Sequence, residues 1–210
     1  MPGGRPSLPE RRLASAPVSG LALFAYASLV DPASAYETLG RRVEPVPARL
    51  RGWRRRWSVA RDNLASEKTF ARADDGSLPA FCLGLNLEAA DGGADGPNGA
   101  LIRLREAELE RLDLRELRYD RIDVSGFLGG LPAAIDRVFA YAAKPDHLAP
   151  APPPGAVILS SYASAVEAAF AALGDGQLQL YRRTTAPPPV PVIDGVLVED
   201  RIPPGNPRAW

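Results

Sequence analysis

The apolar runs in this chain are short and unevenly spaced, and that spacing most restricts what it can fold into. Strand-like runs read at residues 21–27, 81–87, 100–104, 119–124, 137–143 and 192–198. Between them lie isolated helical stretches: one opening at Asp31-Pro32 and running to about residue 41, one over 106–117, and an Ala-rich one over 159–173 that stops at Gly174. Asp31 is an N-cap acid before a proline suited to the first helical turn, and Gly174 is a helix terminator. The order lacks the regular strand-helix-strand rhythm of a parallel α/β sheet. It predicts an α+β fold whose mixed or antiparallel sheet can curl into a barrel.

Residues 1–19 are rich in Pro, Gly, Ser and Arg without periodicity and read as a flexible N-terminal tail. Their prolines would interrupt the amphipathic helix of an Arg-rich targeting peptide. Residues 20–176 read as one domain, and 177–210, with a proline cluster at 187–191, as an extension packed on it. A chain of 210 residues, 46% hydrophobic and 24% charged, can bury one sizeable core.

Lys plus Arg and Asp plus Glu balance at 25 each, so no net field draws the chain to nucleic acid or to an anionic membrane. No apolar run approaches the ~20 residues of a membrane span. The basic run at 47–59 interleaves aromatics, with Leu50 and Gly52 on one strand face and Trp53, Arg55 and Trp57 on the other. Without a second basic block, its arginines read as solvated or paired rather than as a nucleic-acid platform. Small molecules or other proteins are the expected partners. Cys82, the single cysteine, sits in the apolar run Phe81-Cys82-Leu83 and reads as a small buried hydrophobe, in keeping with a reducing, cytoplasmic compartment. His147, the single histidine, lies in KPDHLAPAPPP, which leaves a metal centre or a Ser-His-Asp triad poorly supplied.

The segment GALIRLREAELERLDLRELRYDRIDV, residues 99–124, carries the candidate chemistry. At 100° per residue Leu109, Leu112 and Glu116 share a stripe that turns Glu116 inward, while Glu106 and Glu110 project elsewhere, near Arg103 or Arg111, and Asp113 lies at the margin. An ionised carboxylate on an apolar face must find a partner or rise in pKa, and the second outcome makes a general base and acid. The competing reading is structural: the helix ends near Asp113, or Glu116 pairs with Arg115 or Arg118 at the surface.

FAYASLV, then ARLRGWRRRWSV, GALIRL, LDLRELRYDRIDV, VFAYAA and a Pro-rich turn before a helix, in that order over residues 21–174, resembles the γ-glutamylcyclotransferase-like family. Its members share F-x-Y-G-S-(N/L)-L after the first strand, L-x-G-(F/Y/W)-R on a later one, and L-D-x-x-E-G with a tyrosine a few residues on. The resemblance implies a small mixed β-barrel with flanking helices. It also implies intramolecular aminolysis of a small γ-glutamyl amide, releasing 5-oxoproline and an amine, without a cofactor. The family's catalytic glutamate corresponds to Glu116, and its substrate-holding backbone loop to Tyr26, Ala27, Ser28 and Leu29. Tyr119 matches a pocket tyrosine, and Tyr141 an aromatic of the core or pocket. Ala27 and Leu117 stand at two customary glycines, so a left-handed backbone at Ala27 would be strained. After the Pro-rich turn no aromatic appears until Tyr162. The alternative is a non-catalytic binding protein that keeps the barrel and the anion-holding loop and recognises an acidic metabolite or protein tail.

Overall fold

A computed structural model describes residues 20–90, 96–130, 132, 134–204, 206 and 207. The expected tail at 1–19 lies outside them. In chain order the structure has β1 (Leu21–Ala25), α1 (Pro32–Leu39), β2 (Val46–Arg49), β3 (Trp53–Asp62), β4 (Lys68–Arg72), β5 (Phe81–Ala89) and β6 (Asn98–Leu104). There follow α2 (Leu109–Arg115), β7 (Tyr119–Asp123), β8 (Arg137–Ala143), β9 (Ala156–Leu159), α3 (Ser160–Ala172), α4 (Gln177–Thr184), β10 (Val192–Ile193) and β11 (Gly195–Asp200).

The strands form a mixed α+β fold of open sheets, and the expected closed barrel is not what the chain builds. One sheet has the order β2-β6-β1-β8-β7, a second the order β10-β9-β5-β3, and β11 pairs with β4 as a ribbon. The outer strands are poor partners for closure. β2 is four residues long and contains Pro47, which has no N–H for a ladder; β7 presents Asp120, Arg121 and Asp123; β10 is two residues long and follows the proline cluster. Phe24, Ile102, Leu85, Ile158, Leu112 and Phe170 belong to one buried cluster drawn from both larger sheets and from α2 and α3. Gly99 lets β6 lie close along β1: a Cβ there would stand 2.3 Å from the Ala25 carbonyl oxygen.

The expected single strand over 47–59 is two strands in different sheets. Gly52, at φ +72°, turns the chain between them, a conformation that a side chain disfavours. The run 192–198 divides likewise into β10 and β11. β4 and α4 were not foreseen, and β9 precedes α3 where a helix start was expected. Residues after 176 supply α4, which contacts α3 and β6, and two strands that extend β9 and pair β4.

The arginines of β3 divide by face. Arg54 and Arg56 ion-pair with Glu88 at 3.2 and 3.0 Å. Arg55 corrects the expectation of a solvated or paired residue, because it is fully buried and makes no ion pair among the described residues. Its hydrogen bonds and two aromatic faces take the place of water.

Candidate active site

The end of β1 is set by what lies beyond it. Ala27 leaves the strand, Ser28–Val30 form one 3-10 turn, and Asp31 caps α1 by accepting from the Ala33 and Ser34 N–H groups at 3.2 Å. The turn closes through Val30 N–H to the Ala27 carbonyl (3.0 Å) and Asp31 N–H to the Ser28 carbonyl (3.1 Å). The N–H groups of Ser28 and Leu29 donate to no acceptor among the described residues. Ala27 has φ −139°, which is not left-handed, so alanine carries none of the strain considered for a glycine position. Leu117 also lacks a positive φ.

The helical stripe differs from the expected one by one position. The residues of this segment that are buried are Glu108, Leu112 and Arg115, while Leu109 is half-buried. α2 ends at Arg115, and Glu116 is its C-cap at φ −91°, ψ 42°, with its N–H bonded to the Leu112 carbonyl at 2.8 Å and its own carbonyl accepting from Tyr119 N–H at 2.8 Å. Glu116 is therefore aimed by a helix end, not by the helix face. Its side chain is 18% exposed and pairs with Arg115, whose side chain is 2% exposed, at 3.2 Å. Pairing with Arg115 was foreseen as a surface contact; it is a buried one.

What sequence reasoning passed over is the wider role of Arg115. It donates to Thr38 Oγ1 at 2.6 Å, Ser34 Oγ at 2.9 Å and Ser28 Oγ at 3.4 Å, so one guanidinium ties α1, the 3-10 turn and Glu116 together. Burial pulls its pKa down, and the neighbouring Glu116 carboxylate opposes that shift. Its spacing of three from the buried Leu112 is the signal that would have found it.

These groups face one cavity of about 770 Å³, within the usual range for small-molecule sites. Tyr26, Ala27, Ser28, Leu29, Glu116, Tyr119 and Tyr141 all line it, together with Arg115 and Tyr162. The tyrosines are anchored by their hydroxyls: Tyr26 donates to the Tyr141 carbonyl (2.7 Å), Tyr119 to the Leu85 carbonyl (2.9 Å) and Tyr141 to Asp113 Oδ1 (2.7 Å). Burial raises all four phenols well above their ordinary range, and Glu116 adds to the shift in each. They are neutral at physiological pH. Tyr162, from the start of α3, is the aromatic that arrives late in the sequence; it packs edge-on to Trp57 at 6.0 Å between centroids.

Two of the other three acids on the wall are committed, and the third, Glu37 on α1, is exposed. Asp31 caps α1, and Glu67 receives both Arg118 amino groups at 3.1 and 2.7 Å. Burial pushes the Cys82 thiol up, away from a thiolate. Among the described residues no cluster of His, Cys, Asp and Glu has the makings of a metal site, and no helix is long and apolar enough to cross a membrane.

No family model matches this sequence and no curated protein matches it. Solved structures do resemble the fold. A protein titled γ-glutamyl cyclotransferase superposes with TM-score 0.51 at 13% identity, over 77% of this chain and 86% of that one. An uncharacterized protein from Homo sapiens gives TM-score 0.54 at 14% identity over the same shares. YkqA from Bacillus subtilis gives 0.51 at 18% identity over 81% of this chain, which spans 56% of YkqA's length. At such identities the likeness is one of fold.

Proposed function

We propose that this chain, which has the γ-glutamylcyclotransferase-like fold, cyclises a small γ-glutamyl amide to 5-oxoproline and releases the amine. The observation that carries this reading is a half-buried carboxylate, Glu116, sharing a cavity wall with a strand-to-helix loop whose Ser28 and Leu29 N–H groups are unspent among the described residues. The nucleophile is the substrate's own α-amine, already tethered to the carbonyl it attacks, so the protein's task is to hold the glutamyl chain bent. An α-amine with pKa about 8 must shed a proton to attack. The ammonium proton is lost to solvent and leaves the neutral amine; as that nitrogen closes the five-membered ring Glu116 takes the second proton it must lose, and the old C–N bond breaks as Glu116 returns this proton to the departing nitrogen. The loop N–H groups face the oxygen that gains charge between these steps. The neutral tyrosines serve as donors and walls rather than as bases. Only protons are transferred and no electron is, so the reaction calls for no cofactor.

Residues 20–176 are read as the catalytic unit, with 177–210 packed on it, and a reducing cytoplasmic setting suits the lone buried Cys82. The test is to incubate purified protein with γ-glutamyl amino acids, γ-glutamyl amines and glutathione and to measure 5-oxoproline. Release from at least one of them is expected. Saturable binding without 5-oxoproline would replace this reading with that of a binding protein for acidic metabolites or protein tails.

A further inference from the structure

Arg55 is fully buried, lines none of the cavity, and yet reaches the loop that does. Its five N–H donors all find neutral acceptors. Nε donates to Thr185 Oγ1 at 2.8 Å; Nη1 donates to the Tyr26 carbonyl at 2.9 Å and the Asn98 carbonyl at 2.8 Å; Nη2 donates to Asn98 Oδ1 at 3.0 Å and Thr184 Oγ1 at 3.3 Å. The guanidinium lies over the Tyr181 and Phe170 rings at 4.3 and 4.8 Å from their centroids. Burial lowers its pKa to about 9, which leaves it a cation at neutral pH. A buried charge is costly to keep, and a strand position facing the core could hold an apolar residue instead.

The bond to Tyr26 suggests what the charge does. The Tyr26–Ala27 peptide is trans, so its carbonyl and the following N–H point in opposite directions. With the carbonyl fixed toward Arg55, outside the cavity, the Ala27 N–H is turned to the other side, along the loop that carries Ser28 and Leu29. The Tyr26 side chain is pinned separately by its hydroxyl. We infer that Arg55 is a positioning residue: it sets the plane of the Tyr26–Ala27 peptide and hence the aim of the substrate-holding loop, and α4 completes it by supplying Thr184 and the Tyr181 face. On this account the C-terminal segment acts on the site through Arg55. Asn98 links the same network to α4 by donating to the Gln177 carbonyl and Gln177 Oε1, both at 2.9 Å.

The kinetic part of the inference rests on the cyclotransferase reading; its backbone part does not. Arg55→Lys keeps the charge but loses the planar fork, and Thr185→Val removes one acceptor in case the lysine variant folds poorly. Amide hydrogen exchange, read beside the core amides of β5, should rise about 10-fold or more at Val30 and Asp31, whose N–H groups close the loop onto the Ala27 and Ser28 carbonyls, in Arg55→Lys, and less in Thr185→Val, with β5 unchanged. In parallel, kcat for 5-oxoproline release should fall about 10- to 100-fold with KM nearly constant and the pH profile unmoved. Loop exchange equal to wild type in both folded variants would overturn the inference, whatever the turnover. Faster loop exchange in a protein that never forms 5-oxoproline would uphold the positioning role and sink the reaction.

Discussion

Arg55 and Arg115 are both buried guanidiniums that reach the same loop, one at the Tyr26 carbonyl and the other at the Ser28 hydroxyl, yet their surroundings differ. Arg55 spreads its charge over carbonyls, hydroxyls, an amide and two rings. Arg115 shares its charge with hydroxyls and with the Glu116 carboxylate at the cavity wall. A cation dispersed over neutral acceptors makes a rigid support with no partner that exchanges protons. A cation paired with a carboxylate keeps an ionisable group in place beside the space where a substrate would sit. The first arrangement suits holding; the second suits chemistry.

Truncation should separate them most sharply. Arg55→Ala empties the space beside the stacked Phe170 and Tyr181 rings and strands buried acceptors, at a cost of about 4 kcal/mol in denaturant titrations. Arg115→Met should cost about 3 kcal/mol, much of it from the carboxylate left behind. Adding Glu116→Gln to Arg115→Met should therefore return about 1 kcal/mol, whereas the same addition to an Arg55 variant should return nothing. Equal recovery in both backgrounds would erase the distinction.

Glu108, at the other end of α2, is a paired acid away from the cavity and serves as a control. Burial raises its pKa, but Arg41 at 2.5 Å and the Arg105 N–H at 2.8 Å more than offset that and hold it below the ordinary value. A carboxyl lowered on folding stabilises fully above its unfolded pKa of about 4.3, and the contribution fades as pH falls through the folded value. Glu108→Gln should cost about 1 kcal/mol at neutral pH, with the gap to wild type closing in acid and turnover unchanged.

The smallest effect belongs to Ala27. Because its φ is −139°, Ala27→Gly should lower stability by less than about 1 kcal/mol and change turnover by less than about threefold. A large gain in rate would mean that the methyl group crowds the substrate.

The contrast also marks what the sequence could disclose. Local signals held: Asp31-Pro32 starts α1, Gly174 follows α3, and the 137–143 run is β8 over its whole length. Family-like motifs led to residues that converge on one cavity, because short motifs describe backbone turns that a similar fold repeats. Closure of the sheets was not legible, since it depends on which edges meet and not on any one strand. Arg55 was hidden for a related reason. Its acceptors come from residues 26, 98, 184 and 185, and α4, which supplies one of them, had no clear start signal beyond Gly176. Glu116 was reached by a helical stripe that the structure moves to its neighbour; the C-cap geometry that aims it follows from where α2 stops.

The most direct measurement is 5-oxoproline release by Glu116→Gln, an isostere that can still accept from Arg115. If Glu116 carries the proton, kcat should fall about 1000-fold on the best γ-glutamyl substrate, with Tm within ~5 °C of wild type. A folded Glu116→Gln protein that turns over within about threefold of wild type would contradict the account.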